Sequence, residues 1–376
     1  MVNRVVHLVM AARPNIMKVA PLYHALAGTA WAHPVLVHTG QHYDDNMSSV
    51  FVKTLDLPVP HHNLNIGSGS HAEQTGLTMI AYEALCHQKL PDLTIVVGDV
   101  NATIACALAA KKLGVMVGHL EAGLRSFDRN MPEEINRLAI DSICDWFWTP
   151  SPDATERLLL EGVDATRICE AGNVMIDAYC YLEQHIKEDP IKQIFNLEDN
   201  RYALITFHRP ANVDDQEQLT KLVRVIENIS RSIKLVFPLH PRTKRSLINF
   251  GLYEYISSFK DIVLCDPLPY IPFMKLMSDA TLIITDSGGV QEESSYIGIP
   301  CLTLRANTER PITITHGTNQ LVSTETVLEK VLSIINSSVL PKRPVITGWD
   351  GKAAVRIVEH IQKIFHDPNY NLSKKY

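Results

Sequence analysis

Thr281-Leu282-Ile283-Ile284-Thr285-Asp286-Ser287-Gly288-Gly289-Val290-Gln291-Glu292-Glu293 runs from an apolar stretch, through a polar pair and two glycines, into residues of helical spacing. The apolar part has the length and β-branched content of a buried strand. The segment is therefore one strand–turn–helix unit of a parallel α/β sheet. Glycines let a backbone approach a ligand closely, and the exposed N–H groups of a helix start attract phosphate. Taken alone, the same turn is also a tight connection capped by Asp286 or Ser287.

Outward from this unit, short apolar runs alternate with helical patterns along nearly the whole chain. In the first half, strands are expected at 5–10, 34–38, 93–97, 116–120 and 146–149. Helices are expected there at 17–26, 71–88, 103–113, 132–142 and 152–161. The second half restarts with strands at 203–207, 234–238, 262–264, 281–285 and 300–304. Its helices are expected at 216–229, 271–277, 290–296 and 324–335, and a further packed helix at 353–365. The polar stretch 186–201 reads as the crossing between halves, with the boundary between 172 and 201.

Unusual polar residues fall at the carboxyl end of successive strands. They are Arg13, Gln41, Asp99 and Glu121 in the first half, then His208, His240, Asp286, Ser287 and Arg305 in the second. In open parallel sheets ligands bind at this edge. Two such edges facing each other across a cleft would use both sets.

Composition narrows the function. The 376 residues suit two domains, and 46% hydrophobic with 20% charged residues is globular rather than disordered. The formal charge of −6 and the lack of a basic run exclude nucleic acid as a default partner. The apolar start is short and is broken by Arg13-Pro14-Asn15, unlike a signal peptide. No apolar run reaches the ~18 residues of a membrane span. Seven cysteines without CxxC spacing argue against a disulfide framework or a zinc site, so a cytoplasmic protein is expected.

Two further segments carry candidate chemistry. His119-Leu120-Glu121-Ala122-Gly123-Leu124-Arg125-Ser126 puts a carboxylate at a strand end, where desolvation raises a pKa or Arg125 pairs with it. Asp99 either serves the site or caps a helix. Met131-Pro132-Glu133-Glu134-Ile135-Asn136-Arg137 reads as a helix start. Projected at 100° per residue, Ile135, Leu138, Ala139, Ser142 and Ile143 form its inward face, leaving Glu133 opposite, beside Arg137. Glu292 and Glu293 suit ribose hydroxyls or first-turn dipole compensation. Arg13, His208, Arg209, His240 and Arg242 add cationic and imidazole donors. No G-x-G-x-x-G follows the first strand and no P-loop occurs, so neither dinucleotide nor P-loop chemistry is expected. Carboxylates on one half and His208 on the other suit proton transfer at a carbon beside a leaving phosphate.

These residues resemble the non-hydrolysing UDP-N-acetylglucosamine 2-epimerases. The matching segments are Arg13-Pro14-Asn15 with Lys18, His38–His42, Gly98-Asp99, His119–Ser126, Pro132–Arg137, Phe207–Pro210, Pro238–Thr243, Asp286–Glu293, Thr308–Pro311 and Gly317–Asn319. The family's commoner Gly-Thr-Arg-Pro-Glu appears as Ala11-Ala12-Arg13-Pro14-Asn15. The resemblance implies an α/β protein of two Rossmann-like domains facing a central cleft, GT-B-like, over 1–172 and 173–350. A C-terminal helix within 351–376 would cross back to the first domain. It implies a homodimer that acts on a UDP-sugar, without cofactor or metal, by anti elimination of UDP to a 2-acetamidoglucal and re-addition.

Carried over by position, the catalytic set is Asp99, Glu121, Glu133 and His208. The substrate set is Arg13, Lys18, Arg137, His240, Phe273, Ser287, Gly288, Gly289, Glu293 and Arg310, with Phe273 stacking on uracil. Gln41 and His42 match contacts to a regulatory second substrate molecule. The rivals are a hydrolysing 2-epimerase releasing N-acetylmannosamine, a retaining glycosyltransferase and a non-catalytic sugar-nucleotide sensor. Diacetamido and uronic-acid sugars remain open as substrates.

Overall fold

A run of valines and leucines starts the first sheet at β1 (Arg4–Met10). It is followed by β2 (Ala32–His38), β3 (His62–Asn63), β4 (Leu93–Val97), β5 (Met116–Leu120), β6 (Trp146–Thr149) and β7 (Ile168–Glu170). The computed structural model describes residues 3–11, 13–40, 52–197, 201–337 and 343–366, so Gln41 and His42 lie outside the described residues. The second sheet comprises β8 (Tyr202–Thr206), β9 (Lys234–Pro238), β10 (Ile262–Cys265), β11 (Leu282–Thr285), β12 (Cys301–Leu304) and β13 (Asn319–Val322).

The strand orders are β3-β2-β1-β4-β5-β6-β7 and β10-β9-β8-β11-β12-β13. Every pairing among them is parallel. Counted within each sheet, the second follows the 3-2-1-4-5-6 order of dinucleotide folds, and the first follows it with a seventh strand, β7, added beyond β6. The order reverses between β1 and β4 in one and between β8 and β11 in the other, and ligands bind outside the strand ends at such points. Helices cover both faces of parallel sheets, which is why β4 and β11 are buried along their whole length.

The chain divides into two compact units, Met1–Tyr181 with Thr347–Tyr376, and Leu182–Ile346. Val9, Val37, Val96, Val117 and Phe147 centre one core of the first unit. In the second, Ile205, Leu235, Ile284 and Leu302 pack with Leu219, Val223 and Ile226 of the Gln216–Ser230 helix. The expected α/β class with two Rossmann-like sheets therefore stands. The stretch 186–201 is partly helical, since the helix Val174–Glu188 runs into it and a short helix, Ile191–Ile194, follows.

The terminal helix Ala353–His366 returns to the first unit and packs against the helix Arg13–Ala27. Its first turn is capped from outside, because Asp177 accepts from Ala353 N at 3.1 Å and from Ala354 N at 2.7 Å. Trp349 Nε1 donates to Pro150 O, and Trp148 Nε1 to His360 Nδ1. The returning backbone passes so close to Gly172 (φ +90°) that a Cβ there would lie 1.9 Å from Gly348 O. Only glycine fits that crossing. Among the described residues no helix is long and apolar enough to cross a membrane.

Candidate active site

At the reversal point of the first sheet, Asp99 follows β4 and Lys18 lies on the helix that follows β1. Glu121 stands just past β5 with φ +72°, a left-handed conformation that costs a non-glycine residue about 1–2 kcal/mol. The strained turn aims its carboxylate at Lys18, whose Nζ donates to Oε2. A Cβ on Gly98 would lie 3.2 Å from that Oε2, so Glu121 sits directly against the Gly98-Asp99 turn. Glu121 is thus paired with Lys18 rather than with Arg125.

Asp99 does not cap the following helix. Val100 holds the cap position with no side-chain bond, and the Asp99 carboxylate accepts from Arg137 Nη1.

The helix Pro132–Ile143 turns the opposite way from its apolar projection. Its buried residues are Glu134, Arg137, Ile140 and Asp141, while Ile135 is 57% exposed. The polar face goes inward because it finds partners there. Glu134 accepts from Ser126 N and Phe127 N at 2.9 Å each and from Arg137 Nε at 2.9 Å. Burial pushes the Glu134 carboxyl pKa up, but those two backbone donors and Arg137 outweigh it and hold the pKa below the usual range. Arg137 thereby bridges Glu134 and Asp99, not Glu133. Glu133 is exposed on the first turn.

A second chain of charges lies beneath. Asp141 meets His119 Nδ1 at 2.6 Å and Arg125 Nη1 at 2.7 Å, and Arg125 forks onto Glu161. His119 Nε2 in turn lies 2.9 Å from Gly98 O, tying this network to the Asp99 turn. Despite full burial, His119 and Arg125 hold the Asp141 carboxyl below its ordinary value.

At the reversal point of the second sheet, Asp286 is fully buried and binds the loop after β8 rather than capping a helix. It accepts from His208 N, from Arg209 N and Asn212 Nδ2 at 2.9 Å each, and faces His208 Nδ1 at 2.9 Å. Burial alone would raise this carboxyl, but His208, Asn212 and Arg209 hold it low.

The rings of His208 and His240 are 5.4 Å apart. His240 caps its helix by accepting from Arg242 N. Beside the Ser287-Gly288-Gly289 turn, Glu309 is gripped by Arg305 and Arg310, which keep its carboxyl far below the usual range against the cost of burial. A Cβ on Gly288 would lie 2.6 Å from Arg310 Nη1 and 2.7 Å from Glu309 Oε1, so glycine is what admits this pair. Arg310 also meets Glu292 at 2.8 Å, and Glu293 accepts from Tyr270 Oη at 2.8 Å. Phe273 is half-buried on the helix Tyr270–Ser278.

Of the expected residues, the structure brings Lys18, Asp99, Glu121 and Arg137 together in the first unit, so Lys18 stands among the carboxylates. In the second unit it gathers His208 with His240, and Gly288 with Arg310. Arg13 opens its helix, and its side chain lies outside what is described. Sequence reasoning gave no role to Glu134, Asp141 or Glu309, and placed Arg305 only among the strand-end residues. The doubled acid Glu133-Glu134 and the run Thr308-Glu309-Arg310 were the available signals. Among the described residues no group of three or more His, Cys, Asp or Glu is arranged to hold a metal ion.

The model of the UDP-N-acetylglucosamine 2-epimerase family matches residues 24–362. A UDP-N-acetylglucosamine 2-epimerase of Methanocaldococcus jannaschii is 42% identical over 94% of this chain and 98% of its own. A Pseudomonas aeruginosa UDP-2,3-diacetamido-2,3-dideoxy-D-glucuronate 2-epimerase is 34% identical over 95% and 99%. The crystal structure of the M. jannaschii UDP-GlcNAc 2-epimerase with UDP-GlcNAc and UDP superposes with TM-score 0.86 at 40% identity, over 95% of this chain and 99% of that one. The chain belongs to the UDP-N-acetylglucosamine 2-epimerase family.

Proposed function

We propose that this enzyme interconverts UDP-N-acetylglucosamine and UDP-N-acetylmannosamine through loss and return of UDP. A C2 proton beside an acetamido group is too weakly acidic for plain enolisation, so its removal is coupled to a leaving group. A base takes the proton, the C–H electrons form the C1–C2 double bond, and the C1–O bond breaks with its pair going to the β-phosphate. Re-protonation of C2 on the other face, with UDP oxygen adding back at C1, gives the epimer. The sequence is redox-neutral and calls for no hydride carrier.

The observation that carries this reading is the side-by-side placement of Glu121 against Lys18 and Asp99 against Arg137 at one sheet's reversal point. Asp99, Glu121 and Glu133 serve the proton transfers in this reading. His208, with His240 and Arg310, neutralises charge on the diphosphate. The Ser287-Gly288-Gly289 backbone cradles phosphate, Glu293 takes ribose hydroxyls, and Phe273 stacks on uracil. Incubation with UDP-N-acetylglucosamine in D₂O tests it: both C2 epimers should appear with deuterium at C2. A deuterium-free mixture overturns the mechanism, and free N-acetylmannosamine with UDP assigns the hydrolysing reaction. The P. aeruginosa relative supports a diacetamido-uronate as second substrate, decided by comparing kcat/KM for the two UDP-sugars.

The same proposal includes a cytoplasmic homodimer. The helix His71–Gln88 neighbours Asn101–Lys112, which neighbours Pro132–Ile143, and this layer exposes Leu77, Ile80 and Ile135 by 51%, 66% and 57%. Such an apolar surface suits a second copy. Ile80→Glu with Ile135→Glu should give a monomer in light scattering, and an unchanged mass would place the interface elsewhere.

A further inference from the structure

We propose that Asp286 is a positioning residue that fixes the ring of His208, with Nδ1 donating to its carboxylate and Nε2 presented to the leaving diphosphate. This rests on the reading of His208 as catalytic. The Asp286 side chain has 0% exposure, whereas that of His208 is 37% exposed. One carboxylate therefore holds both the ring and the backbone that carries it, since it accepts from His208 N, Arg209 N and Asn212 Nδ2 besides facing Nδ1. Arg209 Nε closes the arrangement by donating to Asp286 O at 3.0 Å.

A buried carboxylate facing Nδ1 selects the Nδ1–H tautomer, so the remaining lone pair is on Nε2. Protonation at Nε2 then makes an imidazolium already paired with Asp286, and the ring need not turn. His208 can switch between accepting and donating at Nε2 as the diphosphate gains and loses charge. Among the described residues, the ring of His240 lies 5.4 Å away between centroids, and Arg209 lies 4.0 Å from Glu309.

Imidazole nitrogen NMR on the full chain, with the His208 signals assigned by their loss in His208→Gln, reads the tautomer directly. The expected result for the neutral ring is a protonated Nδ1 and an unprotonated Nε2. The opposite tautomer, or a mixture, overturns the positioning. Kinetics supply the second test. Asp286→Asn should lower kcat about 10²–10³-fold with UDP affinity changed less than about 3-fold. In a His208→Ala background the same change should cost less than about 3-fold more, because Asp286 acts through the ring. Effects that multiply in the double variant would make Asp286 merely structural. Should Asp286→Asn not fold, the wild-type spectrum still decides. Full turnover by His208→Ala would sink the catalytic role of His208, and with it the function of the pair, while leaving the tautomer to be judged by NMR.

Discussion

Lys18 Nζ donates to Glu121 Oε2, joining residues 103 positions apart, with side chains 10% and 8% exposed. A buried ion that loses a charged partner keeps its desolvation cost and gives up part of the attraction that offsets it. Lys18→Met should therefore destabilise the fold by about 3–5 kcal/mol, and adding Glu121→Gln should recover part of the loss. Equilibrium denaturation of the two single variants and the double checks this. A Lys18→Met protein as stable as wild type would show the pair to be energetically idle.

Neighbouring acids should behave differently. Glu134 is buried with four anchoring donors, so Glu134→Gln should lower stability by about 1–3 kcal/mol. Glu133 is exposed, so Glu133→Gln should leave stability within about 0.5 kcal/mol yet lower turnover about 10²–10⁴-fold. Asp99→Asn and Glu121→Gln should slow turnover by a similar factor, with UDP binding nearly kept. Normal turnover in all three would move them out of the chemistry.

For the nucleotide, Phe273→Ala removes a stacking face and Glu293→Ala removes the acceptor bound to Tyr270. Each should weaken UDP binding about 5- to 150-fold by calorimetry, the span of ~1–3 kcal/mol for such contacts. Unchanged affinity in both would place uridine elsewhere.

The acid limb of stability should start above the carboxylate range. His7 is buried against Tyr82, and burial, with His62 and Lys89 nearby, lowers its pKa from 6.5 to about 4. The unfolded chain thus binds a proton that the folded chain refuses between those values, and stability falls as pH drops through that window. Burial, with His33 and His62 beside it, shifts His61 the same way. Urea titrations should show wild type losing about 3 kcal/mol more than His7→Gln between pH 7 and pH 4. Parallel curves would mean that His7 is not held neutral.

The strands were legible because parallel sheets are buried on both faces, so Leu93-Thr94-Ile95-Val96-Val97 reads as one apolar run. Strand ends were legible for the same reason, which located Asp99, Glu121, His208 and Asp286. Partner choice was not. The projection of Pro132–Ile143 assumed that apolar residues turn inward. Ile135 instead faces outward, since Glu134, Arg137 and Asp141 meet Ser126, Asp99 and His119 from distant segments. The strand Asn319–Val322 was missed because half of it is polar. Its Asn319 is buried, accepting from Thr303 and donating to Gln291 and Thr313, which no periodicity records.

The return of Ala353–His366 to the first unit gives synthesis an awkward order. A ribosome has finished every strand of the second sheet before it makes the helix that covers Arg13–Ala27. Domains ordinarily complete themselves in the order they emerge. Here the earlier unit waits, with part of its apolar surface open, while the later one closes its core. Apolar surface left open over that interval favours association with other chains.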